Sequence, residues 1–426
     1  MNEDILSFVW RFQYFNTANL RTDSNQRLSV MRTGYKNVNA GPDFSEAGII
    51  IDDVNWHGSI EIHVRSSDWF LHTHEKDQAY EGVILHVVWE NDKPVIRRDG
   101  TLIPTLTLKG LVKQSVLERY AALQDVKEGI PCKEMFHEVM GIHKFDMLDK
   151  VLLERLERKG KEVMQLLENN QNDWEKTAYQ WLGKHFGFKL NDHAFLRLME
   201  ITPWKVIQKH RGNSAQIEAL LFGMAGLIPD DSDEIYVRQL KKEFQFLSKK
   251  YNLTGQRMHA HEWKYAKLRP AGFPTVRLAQ LAKLLSKEGS MFLKLTSPGS
   301  IADLQEIFHG MQSEYWTEHY IFCKKSKNKV PAMGKDASAL LVINAVVPLL
   351  VAFSKHRQQP ELLDKAIYWL SQVPAENNRI TREWETLEMR VKTAADSQAL
   401  IEWYNNYCTF HLCLNCTVGA ALVRSS

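Results

Sequence analysis

The hydrophobic positions change period along this chain. Over residues 4–15 apolar side chains recur at Ile5, Phe8, Val9 and Phe12, which is helical spacing. Leu28–Arg32 reads as a short strand, and residues 33–42 are turn-rich, with Gly34, Asn37, Asn39 and Gly41. Residues 44–54 are strand-like around Ile49-Ile50-Ile51, and Asp52-Asp53-Val54-Asn55 turns the chain. Residues 56–65 then alternate. Ile60, Ile62 and Val64 fall on one face, and Glu61, His63 and Arg65 on the other. Ser66-Ser67-Asp68 reads as the cap of a helix reaching about Tyr80. Val83–Glu90 is an apolar run that suits a buried strand, and Asp99-Gly100 reads as a hairpin turn between residues 95–96 and 102–108.

After about residue 145 the strand pattern gives way to helical spacing. Leu152, Leu153, Leu156, Val163, Leu166 and Leu167 mark one amphipathic helix. Others are expected near 173–186, 215–228, 233–251, 276–287, 301–312, 337–356, 361–372, 381–393 and 397–407. The expected architecture is an α/β N-terminal domain over 1–115, a mixed sheet flanked by helices. A large all-α domain follows over 116–395, with a Cys-rich tail over 396–426 packing on it.

Composition narrows the class. A chain of 426 residues with 44% hydrophobic and 25% charged residues is folded and multidomain. Net charge is only +3, so the total argues for no partner. Five Cys do not make a disulfide framework, and three of them crowd the last twenty residues. The start Met1-Asn2-Glu3-Asp4 has no basic stretch before an apolar core, which excludes a secretory signal. Residues 337–353 are nearly all apolar but carry Asn344 and Pro348, so they read as a buried central helix and not a membrane span. These readings place the protein in the cytoplasm.

One pattern points to a reaction. Gly41-Pro42-Asp43-Phe44 is followed, eighteen positions after the aspartate, by Glu61-Ile62-His63. Phosphodiester cleavage needs a hard cation on the phosphate and an activated water. Mg²⁺ or Mn²⁺ takes carboxylate oxygens, so Asp43 and Glu61 on neighbouring strands are candidate ligands. Histidine is neutral enough at physiological pH to position water, which suits His63.

These residues, within a helix, strands, helix, strand order, resemble the PD-(D/E)XK nuclease superfamily, the restriction-endonuclease-like fold. The resemblance implies Asp43 and Glu61 as metal ligands, the Ile62 carbonyl as a further one, and catalytic roles for Asp43, Glu61 and His63. His63 stands where that superfamily has lysine. Glu3 is the match to a glutamate that some members carry on the first helix. The chain also resembles, over nearly its full length, a bacterial family of unassigned function. That likeness rests on Ala40-Gly41-Pro42-Asp43-Phe44, Trp56-x-Gly58-x-x-Glu61-Ile62-His63, Ser67-Asp68-Trp69, Leu85-His86-Val87-Val88, Arg269-Pro270, Phe273-Pro274, Arg277-Leu278-Ala279-Gln280 and the terminal cysteines. It implies no activity.

Three further groups carry chemistry. His72, His74 and Asp77, with Tyr80 three residues on, read as accessory groups of the same cleft or as zinc ligands. His74 and Asp77 share a face if the helix has begun. His86 reads as a satisfied core histidine. Cys408-x4-Cys413-x2-Cys416, with His411 inside, reads as a structural zinc or Fe–S site whose fourth ligand is His411, Cys323 or Cys132. Between residues 237 and 287 there are twelve Lys or Arg against two acids, interleaved with Phe246, Tyr251, Trp263, Tyr265 and Phe273. Lys264, Lys267, Arg269 and Arg277 are its candidate nucleic-acid contacts. The sequence therefore predicts a Mg²⁺- or Mn²⁺-dependent nuclease acting on DNA or RNA, away from the membrane. The alternatives are a catalytically silent DNA- or RNA-binding protein with the same fold, and a zinc hydrolase built on His72, His74 and Asp77.

Overall fold

The computed structural model describes all residues except Thr254, Gly310, Met311 and Ser426. Helix α1 is Glu3–Phe12; Asn2 caps it by accepting the Ile5 N–H at 3.2 Å, and Glu3 and Asp4 lie in its first turn, where the helix dipole favours acids. Its apolar face buries Ile5, Leu6, Phe8 and Val9. Strands β1 (Leu28–Arg32) and β2 (Tyr35–Lys36) both pair antiparallel with β3 (Phe44–Ile51). β3 pairs antiparallel with β4 (Val54–Arg65) across a turn in which Asp52 and Asp53 hold φ of 45° and 70°. Two successive left-handed residues give the hairpin a twist that matches its strands.

β5 (Val83–Glu90) then runs parallel to β4, and β6 (Thr105–Thr107) parallel to β5. The six-stranded sheet has the order β1-β3-β4-β5-β6, with β2 beside β3, and is mixed, as expected. Ile60, Glu61, Ile62 and His63 of β4 are all buried, so both faces of this central strand are covered. The alternation puts the apolar pair on one face and the acid and imidazole on the other.

The expected helix over residues 68–80 is broken. Only α2 (Asp68–Leu71) is α-helical; Thr73 then takes φ 59°, and two short 3₁₀ turns follow at His74–Lys76 and Gln78–Tyr80. A β-branched residue in the left-handed region stops the helix. Asp77 therefore does not share a helical face with His74. Its carboxylate caps the second 3₁₀ turn by accepting the Ala79 N–H at 2.9 Å. The expected hairpin at Asp99-Gly100 shrinks to one bridge between Ile96 and Leu102.

The chain divides into two compact units. The first holds residues 1–150 with 383–389 and 401–426, and the second holds 151–382 with 390–400. In the first, α3 (Gln114–Gln124) follows the sheet. Residues 401–426 of the tail belong to this unit together with α3, most of which the sequence boundary at 115 assigns to the helical domain. The helix Thr417–Arg424 buries Val418, Leu422 and Val423, and Arg119 of α3 donates to the Leu422 carbonyl at 3.1 Å. The start of the long helix Gly141–Asn169 also meets the tail, where the Thr417 hydroxyl donates to the His143 carbonyl at 2.8 Å.

The second unit is helical apart from a two-stranded ribbon, His319–Ile321 with Lys324–Lys325. Sequence spacing anticipates Trp174–Phe186 and Glu361–Gln372 closely. It misses Phe188–Ile201 and Trp204–Lys209. The apolar run forms one helix, Lys335–Arg357, long and apolar enough to cross a membrane by composition, yet 72% of its apolar window is buried in this unit's core. A π-turn at Val342–Val346 precedes Pro348. Such a turn accommodates the carbonyl that a proline leaves without its N–H partner.

One glycine holds the start of the β4–β5 pairing. A Cβ on Gly58 would lie 2.5 Å from the Gly82 carbonyl oxygen and 2.5 Å from Ile84 Cγ2, beside the Ser59 N–H donated to Gly82 at 2.8 Å. Gly58→Ala is expected to destabilise the sheet unit by about 1–3 kcal/mol, read as a lower denaturant midpoint. An unchanged midpoint would contradict this close approach.

Candidate metal centre

The register of β3 against β4 decides where the two acids meet. Phe44 pairs with Ile60, so Asp43 comes level with Glu61. A bulge between Phe44 and Ala47, with Glu46 at φ 53°, bends β3 there. Two reciprocal hydrogen bonds close the approach. The Asp43 N–H donates to Glu61 Oε2 at 3.1 Å, and the Ile62 N–H donates to Asp43 Oδ2 at 3.0 Å. Glu3 opens α1, and its charge and that of Asp43 repel each other.

Burial concentrates this negative charge. Glu61 is 5% exposed. Burial pushes its carboxyl up to about 8; Asp43 and Glu3 push the same way, against the lowering effect of the Asp43 N–H. Burial also raises Asp43, opposed by the Ile62 N–H and the Lys36 ammonium. Glu3, though its residue is open to solvent, is raised first by desolvation and then by Asp43. Glu61 resists ionising beside Asp43 and Glu3, a cost that a nearby cation would relieve. Of the residues predicted as ligands, Ile62 contributes its N–H to Asp43.

Beside the acids lies a histidine network. His63 Nδ1 is 2.8 Å from His86 Nε2, and His63 Nε2 is 3.2 Å from His72 Nδ1. The buried His86 Nδ1 has no hydrogen-bond partner. An unmet lone pair is the milder defect, so His86 Nε2–H donates to His63 Nδ1, and His63 Nε2–H faces His72. Burial pushes His63 down to about 2 and His86 to about 3, and it lowers His74 as well. His63 is thus a neutral hub with both nitrogens engaged. His86, expected to be a satisfied core residue, is part of the network.

His74 Nε2 lies 3.3 Å from Glu61 Oε1, and His63 Nε2 lies 3.5 Å from it. Yet His74 Nε2 is a buried nitrogen without an aligned hydrogen bond. Burial keeps the imidazole neutral and the carboxyl protonated, so proximity here makes no ion pair. Tyr80 stacks on His74 at 3.8 Å, and Trp69 lies edge-on to it; burial pushes the Tyr80 phenol up to about 12. Tyr80 thus supports the His74 ring. Asp77 caps its own turn instead.

The donor set fits a metal in two adjoining ways. Asp43 and Glu61, tied by their backbone hydrogen bonds, offer carboxylate oxygens of the kind that Mg²⁺ or Mn²⁺ takes; with Glu3 they do not make a group of three within 4.8 Å. The ligand nitrogens of His63, His72 and His74 all lie within 4.8 Å of one another, a separation open to an imidazole-binding ion. The orphaned His74 nitrogen is the group such an ion would satisfy.

A cavity of about 660 Å³ in the same unit is lined by Arg11, Lys36, Lys150 and Arg424, with Asp4 and Asp146. Lys36 links it to the acids, since its charge acts on Asp43. Sequence reasoning missed this basic wall because its members come from four distant segments. The predicted basic contacts lie in the second unit. Lys264, Lys267 and Arg269 are exposed there, but Arg277 is half-buried, bonded to Gln280 at 2.9 Å and packed on Phe188. Burial lowers its guanidinium to about 10. Trp263 is core and donates to the Ala225 carbonyl, so of the interleaved rings Phe246 is the exposed one.

The titrations oppose one another. His63 and His86 fall from 6.5 to about 2 and about 3, so the unfolded chain gains protons that the fold refuses. Their contribution is full above pH 6.5 and is lost as pH falls. Glu61 rises from 4.5 to about 8, so its contribution is full below pH 4.5 and is lost as pH rises towards 8. Each group contributes at most ~1.4 kcal/mol per pH unit. Metal-free protein is expected to show its highest denaturant midpoint near pH 6.5, with Glu61→Gln flattening the alkaline limb. A midpoint that climbs from pH 6.5 to 8 would contradict the raised carboxyl.

No curated protein and no solved structure matches this chain. One family matches residues 3–379, nearly the whole sequence. The shared frame is thus the sheet that carries these acids and histidines together with most of the helical region, and the chain belongs to the family described as "Protein of unknown function (DUF2851)".

Proposed function

We propose that this protein is a divalent-metal-dependent phosphodiesterase that cuts nucleic acid. The observation that carries the reading is the convergence of Asp43 and Glu61, tied by reciprocal backbone hydrogen bonds. A buried Glu61 held beside the half-buried Asp43, near a basic cavity, is costly to ionise unless a cation and an anionic ligand balance it. The mixed sheet, with Asp43 at the start of one strand and Glu61 within the next, agrees with the nuclease-like reading of the motif.

Bound at these carboxylates, Mg²⁺ or Mn²⁺ supplies electrostatic stabilisation of the phosphate and lowers the pKa of a water. The side chains do the rest. Asp43 and Glu61 hold the ion's position through the rigid β3–β4 hairpin. His63 is neutral and orients its neighbours. The path from His63 to His72 leads a proton from the buried site to an exposed ring. Arg11, Lys36 and Arg424 neutralise the flanking phosphates of the polymer.

A second reading is favoured by one observation, the His63, His72 and His74 trio. In it zinc sits on the imidazoles and Glu61 acts as general base. That set replaces the predicted one of His72, His74 and Asp77, since Asp77 is spent on its own turn.

Purified protein with Mn²⁺ is expected to cleave or nick DNA or RNA. Asp43→Asn is expected to lower cleavage by about 10³-fold, the loss of roughly 4 kcal/mol of metal-dependent stabilisation, while leaving binding intact. Lys36→Ala is expected to weaken binding and its salt dependence. Binding without cleavage in any divalent metal would overturn the enzyme reading in favour of a silent binding protein. Activity restored by zinc alone and lost in His74→Ala, but kept in Asp43→Asn, would favour the second reading.

A further inference from the structure

Four of the five cysteines gather in the sheet unit. Cys132, Cys408, Cys413 and Cys416 are all buried and free, and all four line one cavity of about 10 Å³. Cys132 lies far away in the sequence and reaches the tail through the turn before Lys133–Glu138. The other candidates for a fourth ligand are otherwise engaged. His411 takes φ 52° and turns its ring to the Val126 carbonyl, 2.6 Å from Nε2. Cys323 is exposed in the second unit and lies 3.1 Å from Ser232 Oγ.

We propose that Cys132, Cys408, Cys413 and Cys416 bind a [4Fe–4S] cluster. Three observations carry this. First, the four thiols surround a shared void, and buried thiols with no disulfide partner gain nothing from facing one another. Second, the sulfurs are spread too wide for one ion. Zinc holds its thiolates at about 2.3 Å, so four of them around it stand only about 3.8 Å from one another. Among the described residues, the trio drawn within 4.8 Å of one another is the histidine one, not a cysteine one. A cluster spreads its four ligands wider than one ion does.

Third, the site is built to receive thiolates. Cys416 precedes the helix Thr417–Arg424, and the Val418 and Gly419 N–H groups and the Trp403 indole act on its sulfur to favour the thiolate. N–H bonds to sulfur and a helix N-terminus both stabilise the ligated thiolate. Lys144 and Lys150 add positive charge near Cys132 and Cys416. As the chain stands, the four thiols are packed together in the interior with no disulfide partner. Cluster binding therefore displaces four protons and removes the penalty of packing the thiols together. The cluster pins the tail to the sheet unit, and this inference stands independently of the phosphodiesterase reading.

The test is full-length protein purified without oxygen, or reconstituted with ferrous iron and sulfide. About four iron and four sulfide per chain are expected, with broad visible absorption that bleaches on reduction. Cys132→Ser and Cys408→Ser should each lower iron content several-fold, with circular dichroism checking that the variants fold. His411→Ala and Cys323→Ser should leave iron content unchanged. Stoichiometric zinc with no sulfide would overturn the proposal, as would failure to take up iron after reconstitution. Iron lost from His411→Ala but kept in Cys132→Ser would overturn the ligand assignment.

Discussion

Everything at the candidate site depends on two hydrogen bonds between neighbouring strands. Asp43 gives its N–H to Glu61, and its own carboxylate accepts the Ile62 N–H. The exchange locks the acids side by side on rigid backbone, where ionising both is unfavourable. A fold under no functional constraint relieves such a pair by moving one acid to solvent. Here the two hydrogen bonds instead hold Asp43 against the buried Glu61. The arrangement makes chemical sense with a positive charge between the acids.

The histidines extend the same logic. A chain from His86 through His63 to His72 crosses from the sealed interior to the exposed surface. Its inner members are held neutral by burial, so they add no positive charge that would compete with a cation for the acids. Lysine at position 63 would bring a buried ammonium beside Glu61. The imidazole brings hydrogen-bond continuity without that charge. His74, stacked on Tyr80 and lacking a partner for Nε2, leaves one nitrogen aimed at Glu61.

Much of the sheet was legible in the sequence because its signals are local. Alternation marked β4, the apolar run marked β5, and Asp52-Asp53 marked the hairpin between β3 and β4. Adjacent strands then bring Asp43 and Glu61 together by register alone. What stayed hidden is long-range. Cys132 joins the tail across almost three hundred residues, and no period or spacing reveals that. The basic cavity draws Arg11, Lys36, Lys150 and Arg424 from separate elements. The break at Thr73 was missed because helical spacing does not report a left-handed residue, and with it went the role of Asp77. The charge excess over residues 237–287 was real in composition, but tertiary packing claimed Trp263 and most of Arg277.

A crystal structure of the full-length protein in Mn²⁺, read from the anomalous signal of the ion, tests the central claim most directly. An ion bonded to oxygens of both Asp43 and Glu61, at about 2.0–2.3 Å, is the result this account predicts. An ion absent from those oxygens at saturating Mn²⁺, with the reciprocal hydrogen bonds intact, would contradict it.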